Sequence, residues 1–284
     1  MQKVKSGLKS RIPRFYHLYL KVLKAYSSLR LWHSSHGLSA RLAFRRCIAQ
    51  GRPYFGHVMA AQQGDPKRYQ YMERIVELEC VRKRESYIIP EIGSWASGSA
   101  IIWANAIKRF NDGRGMEICV DAWIQYIHQD DLEKGALYRV MKDALEKDAI
   151  IQLFLHNIRT SGHEDVVRLT RAKSDEILLR FKENEFDVLY VDGAHTYEQV
   201  LKDIQNAAPL VRDGGILCGD DLELQASDVK WESVKGDLRG DYVRCPERNI
   251  WFHPGVTLAV GRYFGEVAGC GGFWAMRKRG EGGV

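Results

Sequence analysis

The sequence predicts an α/β fold: a mostly parallel central sheet flanked by helices, with a basic helical extension ahead of it. Two observations predict it. From Tyr87 onward short apolar runs alternate with stretches of helical spacing, the pattern of βαβ units. The residues just after those runs are acidic or glycine-rich, where an open parallel sheet binds its ligands.

The first strand is expected at Tyr87–Ile89, with its helix over Ala100–Phe110, and the second strand at Met116–Val120. A third is expected near Asp165–Leu169 and a fourth at Phe186–Val191. Thr196 to Val211 reads as a helix, with Val200, Leu201, Ile204, Ala208 and Val211 apolar at helical spacing. Thr196 and Gln199 have the spacing of a capping box at its start. Asp213-Gly214-Gly215 turns the chain into a fifth strand at Ile216–Cys218, and the tail GGFWAMRK reads as one more strand at the far end of the sheet. Pro90 is the irregular element, because proline cannot donate to a ladder. Either the first strand ends early or its ladder is broken there.

Ahead of this region the composition changes. Residues 1–64 hold 12 of the 42 Lys and Arg and no Asp or Glu, which leaves 30 positive against 36 negative charges in the remainder. The net charge of +6 is thus a strongly basic arm on an acidic body. Such an arm is attracted to an anionic surface: membrane, nucleic acid, acidic glycan or the protein's own acidic face. Phe15–Tyr26 has loosely helical spacing with interleaved lysines, and the readings are a helix packed on the body or on a second subunit, peripheral contact with a membrane, or nucleic-acid binding. Gly51, Pro53, Gly56, Gly64 and Pro66 mark a join, so an extension over 1–66 and a main domain over 67–284 are expected, with a helix in KRYQYMERIVELECVRKR. No apolar run reaches transmembrane length, and the amino terminus lacks the features of a signal peptide. The six scattered cysteines have no metal-binding spacing and are read as reduced thiols, which points to the cytoplasm.

The chemistry sits in EIGSWASGSA, VDAW, YVDGAHTY and CGDDLE, each following a strand. Glu91, Gly93, Ser94, Gly98 and Ser99 form a tight strand-to-helix turn whose missing side chains let backbone amides approach a ligand. Its spacing is not GxGxxG, which argues against a dinucleotide cofactor. Asp121 ends the second strand, where it serves either as a helix cap or as acceptor for both hydroxyls of a ribose. Asp192, Asp220 and Asp221 supply three carboxylates from two strand ends, a hard oxygen set suited to Mg²⁺ or else simply a solvated loop. His195 is either a base or a residue stabilising the turn before Thr196.

EIGSWASGSA, ICVDAW and YVDGAHTYEQVLKDIQNAAPLVRDGGILCGDDLE together resemble the class I S-adenosylmethionine-dependent methyltransferases of the group containing macrolide- and aminocoumarin-sugar O-methyltransferases and cephalosporin-hydroxylase-like proteins. The resemblance runs over about residues 85–278 and implies a Rossmann-like fold. It implies that Glu91, Gly93 and Gly98 hold the methionine part of S-adenosylmethionine, that Asp121 holds the ribose and that Ser174 lies near the adenine. It also implies Asp192, Asp220 and Asp221 as Mg²⁺ ligands and His195 as general base. Ser97 departs from the family pattern, which has glycine there.

The expected activity is methyl transfer to a hydroxyl oxygen of a small molecule, a sugar or glycosylated metabolite, in a glycan or lipid-linked form. Similar enzymes use added N-terminal helices to cover the site or to oligomerise, so a homo-oligomer is expected. The competing readings are a nucleic-acid methyltransferase using the basic arm, a nicotinamide-dependent oxidoreductase and a non-catalytic binding module. The first loses ground because no two prolines are adjacent, so the [DNS]PP[YFW] tetrad of base-methylating enzymes is absent.

Overall fold

A computed structural model of the chain describes residues 38–61, 66–82, 87–127, 129–236, 238 and 240–280. The expected helix over Phe15–Tyr26 lies outside them. The main elements are helices α1 (Leu38–Ala49), α2 (Pro66–Arg82), α3 (Gly98–Asn111), α4 (Ala136–Glu146), α5 (Ala149–Thr160), α6 (Tyr197–Ala207) and α7 (Pro254–Phe264). The main strands are β1 (Tyr87–Ile92), β2 (Gly115–Asp121), β3 (Val167–Arg171), β4 (Phe186–Val191), β5 (Val211–Leu222), the short pair β6 (Val243–Arg244) and β7 (Trp251–Phe252), and β8 (Ala268–Cys270) and β9 (Gly272–Arg277).

Seven strands form one sheet in the order β3-β2-β1-β4-β5-β9-β8. β1 to β5 are parallel and β9 runs antiparallel to β5. This is the mostly parallel, Rossmann-like arrangement expected. Parallel strands are covered on both faces and so are apolar throughout; every residue of FDVLYV in β4 is buried. One face packs Met72 and Val76 of α2, Trp103 and Ile107 of α3 and Phe154 of α5. The other packs Val200 and Ile204 of α6 and Val256 and Val260 of α7. Among the described residues no helix is long and apolar enough to cross a membrane, and the six cysteines are free.

Pro90 lies inside β1, opposite Ile118 of β2. Tyr87 and Gly93 donate towards β2, whereas Ile88 donates towards β4, so by alternation the missing N–H of Pro90 also faces β4. The ladder is broken on that side only: β1 pairs with β4 at Glu91 and Ile92 alone. Ile88 donates its N–H to Asp187 Oδ2 at 3.0 Å instead, and Arg212 Nε donates to Asp187 Oδ1 at 2.7 Å.

Three expectations are corrected. The tail strand β9 is one place in from the edge, which β8 occupies; the chain returns antiparallel beside β5 through a tight hairpin. The helix expected to run to Val211 ends at Ala207, and Val211 already pairs with Phe186. The capping box does not form, because Thr196 makes no side-chain cap bond and the Gln199 amide donates to Asp203 Oδ1 at 2.9 Å. Ahead of α2, residues 54–61 are tied to the body: Tyr54 N–H donates to Asn157 Oδ1 at 2.8 Å, and Trp95 Nε1 donates to the Ala60 carbonyl at 2.9 Å.

Candidate active site

The carboxyl ends of β1, β2, β4 and β5 open into one cleft of about 780 Å³, a size typical of small-molecule sites. Its wall includes Gly93, Ser94, Ser99, Asp121, Ser174, Asp192, His195 and Asp221. Glu91, Gly98 and Asp220 lie behind that wall.

The turn after β1 is set by backbone geometry. Gly93 has φ +88, and a Cβ there would lie 1.9 Å from the carbonyl oxygen of Asp192, so glycine is required where the β1 and β4 ends meet. Ser97 has φ +81, which explains the glycine of the family pattern better than side-chain size does: a non-glycine residue is strained there. Below the turn Glu91 is fully buried against the hydroxyls of Ser94 and Ser99. Burial pushes its pKa up to about 8. Glu117 and Cys119 of β2 come within 4.8 Å of it, and burial together with the Glu91 charge holds Glu117 well above the usual carboxylate range.

Asp121 accepts the N–H of Trp95 at its Oδ2, 3.0 Å away, and that of Trp123 at its Oδ1, 2.7 Å away. Both oxygens are thereby aimed and each keeps a further lone pair for a ligand hydroxyl. Ser174 donates to Asp203 Oδ1 at 2.6 Å. Burial lifts Asp203 to about 6 against the hydrogen bonds from Ser174 and Gln199.

His195 follows β4. Its Nδ1 is hydrogen-bonded to Asp241 Oδ1, and its Nε2 lies 2.9 Å from Asp221 Oδ2. Tyr138 donates to the other oxygen of Asp241 at 2.6 Å. Burial alone would lower the imidazole's pKa, but the Asp221 charge and the bonds to Asp221 and Asp241 override it and hold it well above the usual histidine value. The same charge pair holds Asp221 and Asp241 below the carboxylate range against their burial. The ring of His253 lies 4.5 Å from that of His195 and its Nδ1 3.0 Å from Glu223 Oε1. Gly255 allows this approach, since a Cβ there would lie 2.1 Å from the carbonyl oxygen of His195.

Asp220 and Asp221 sit in a β-bulge, where β5 advances three residues from Gly219 to Leu222 while β9 advances two. The bulge, with Asp221 at φ +63, leaves Asp220 buried and Asp221 on the cleft wall. Asp192, Asp220 and Asp221 do converge, each offering an oxygen within 4.8 Å of the others. Arg68 of α2 stands among them: its Nη1 is ion-paired with Asp220 Oδ2, lies 3.3 Å from Asp192 Oδ2 and donates to the Tyr190 hydroxyl at 3.4 Å. As arranged, the three carboxylates do not fit a divalent ion, which would meet the guanidinium's repulsion at close range, about twice the ~4 kcal/mol of a unit pair at 4 Å near a protein surface.

Sequence reasoning missed Arg68, Tyr138, Asp203, Asp241 and His253. Asp241 and His253 belong to the segment between β5 and α7, which packs its own small core of Leu224, Val234, Cys245 and Phe252 and carries the β6–β7 pair. No motif spacing marks it.

From Glu91 to Leu222, the stretch that brings the four strand ends together, the chain matches the family model of a methyltransferase domain. The matched stretch, residues 91–222, is similar to a methyltransferase domain. No curated protein matches the sequence. Among solved structures, the O-methyltransferase NovP is similar at 18% identity with a TM-score of 0.53, covering 89% of this chain and 99% of NovP. The O-methyltransferase TomG from Streptomyces achromogenes, solved with S-adenosylmethionine, is similar at 14% identity with a TM-score of 0.48, covering 88% of this chain and 89% of that one. The NovP match supports the fold. The matched stretch begins at Glu91, buried under the turn after β1, and ends with the bulge of β5.

Proposed function

We propose that the protein transfers the methyl group of S-adenosylmethionine to a hydroxyl oxygen of a small molecule, a sugar or glycosylated metabolite. One observation carries the reading: His195, held by Asp241, faces the same cleft as Asp121 and the glycine turn. The turn amides and Asp121 would bind the methionine and ribose of the cofactor, and Ser174 with Asp203 would border the adenine. NovP and TomG, both described as O-methyltransferases, support oxygen as the acceptor atom.

In the reaction the acceptor oxygen forms its bond to the methyl carbon as the carbon–sulfur bond breaks in line, and S-adenosylhomocysteine leaves. Holding the two reactants in line would lower the barrier. The hydroxyl proton goes to Nε2 of His195. Asp221 and Asp241 raise the pKa of the imidazole above the ordinary histidine value, so it accepts the proton once pH has risen through that raised value; Asp241 fixes the tautomer that presents Nε2. Tyr126, Tyr138 and Tyr242 on the cleft wall offer the faces and hydroxyls that a sugar ring uses.

The test is formation of S-adenosylhomocysteine from S-adenosylmethionine over a panel of glycosides, with His195→Gln as control. Acceptor-dependent product that falls about 10²–10⁴-fold in the variant fits a general base. Full activity in His195→Gln would remove that role.

A further inference from the structure

We infer that Arg68 is the resident cation of the Asp192–Asp220–Asp221 cluster and that it keeps divalent metal ions out. The donor set alone suits such an ion, with three carboxylate oxygens mutually within 4.8 Å. One nitrogen of Arg68 engages two of the three, Asp220 and Asp192. An ion binding those same oxygens at roughly 2.0–2.1 Å, as Mg²⁺ does, would need the space that nitrogen fills. The third carboxylate, Asp221, faces Nε2 of His195 at 2.9 Å. Each carboxylate of the cluster therefore has a basic partner from the chain itself.

The guanidinium is delivered by a packed helix rather than a loose side chain. Met72 and Val76 of α2 are fully buried and Tyr71 stacks on Phe273 of β9 at 5.7 Å between ring centroids. The Arg68 side chain is 15% exposed and that of Asp220 2%, so water does not readily replace the pair. All of these contacts come from one terminal nitrogen, Nη1, which lies between Asp220, Asp192 and the Tyr190 hydroxyl. Arg68 is thus a positioning residue that fixes Asp192 and the Tyr190 hydroxyl bonded to it. The catalytic consequence rests on the methyl-transfer reading; the binding claim does not.

The test uses Mn²⁺ alone, followed by electron paramagnetic resonance and by calorimetry on the full chain. Wild type is expected to leave the free Mn²⁺ signal unchanged, and Arg68→Met to acquire one Mn²⁺ site at least about tenfold tighter, since removing the positive charge restores the field of the carboxylates. Adding Asp220→Asn to Arg68→Met should abolish that site, and Arg68→Lys, which keeps the charge, should not acquire it. Stoichiometric Mn²⁺ binding by wild type that Asp220→Asn removes would overturn the inference. So would an Arg68→Met variant that binds S-adenosylhomocysteine like wild type yet takes up no Mn²⁺. Should Arg68→Met fail to fold, the wild-type titration with and without Asp220→Asn decides. Where turnover is measured, EDTA is expected to leave the wild-type rate unchanged, and loss of rate restored by Mg²⁺ would contradict the inference even if methyl transfer itself stands.

Discussion

Asp121 closes the turn after β1 onto the end of β2 by accepting the backbone N–H of Trp95 at 3.0 Å, and it accepts that of Trp123 at 2.7 Å with its other oxygen. A residue read from sequence as a ribose acceptor is therefore also the clamp that shapes the cleft before any ligand arrives. Asp121→Ala leaves two partly buried amides without acceptors, at about 1–3 kcal/mol each. The expected outcome is a thermal midpoint lowered by several degrees in the absence of ligand. An unchanged midpoint would show that Asp121 acts on the ligand alone.

Ser97 stands at φ +81, and glycine adopts that conformation without the penalty of a Cβ. Ser97→Gly is expected to stabilise the protein by about 1 kcal/mol while leaving cofactor affinity intact. Chemical denaturation measures it, and a loss of stability would mean that the buried Ser97 hydroxyl contributes more than its backbone costs.

Glu91 and Glu117 are buried carboxyls within 4.8 Å of each other, and both have raised pKa values, Glu91 to about 8 and Glu117 in the same direction. A carboxyl whose folded pKa lies above its unfolded one stabilises the fold while protonated, and that stability is lost as pH rises from the unfolded pKa through the folded one. For Glu91 the window runs from about 4.5 to about 8. Glu117→Gln is expected to lose less stability than wild type between pH 5 and pH 8.5, a difference readable by thermal melts at both. Parallel losses in the two proteins would place the titrating group elsewhere.

The strands and their ends were legible in the sequence because a buried parallel strand such as Phe186–Val191 must be apolar throughout, and because ligand chemistry collects directly after it. Asp121, Asp192, His195 and Asp221 could be named on those grounds. Arg68 could not, since it meets Asp192 from 124 positions away, through the packing of α2 on one face of the sheet rather than through any local spacing. Asp241 was hidden likewise in a segment without periodicity. Thr196 and Gln199 misled for a different reason: a capping box is a local option, and Asp203 offered the Gln199 amide a buried acceptor instead.

The histidine's environment sets a pH expectation for turnover. Because the Asp221 charge and the bonds to Asp221 and Asp241 outweigh desolvation and raise the pKa of His195, the acid limb of kcat/KM should lie above the ordinary histidine value. Asp241→Asn removes one of the raising partners, so that limb should move to lower pH while kcat falls as the ring loses its orientation. An unmoved limb would assign the titration to another group.

Calorimetric titration of the wild-type protein with S-adenosylmethionine measures whether the cleft binds that cofactor. Single-site binding is expected, weakened about 10–100-fold in Asp121→Ala, the scale of charge-assisted hydrogen bonds lost at a ribose. Absence of binding to the folded wild-type protein would contradict that expectation.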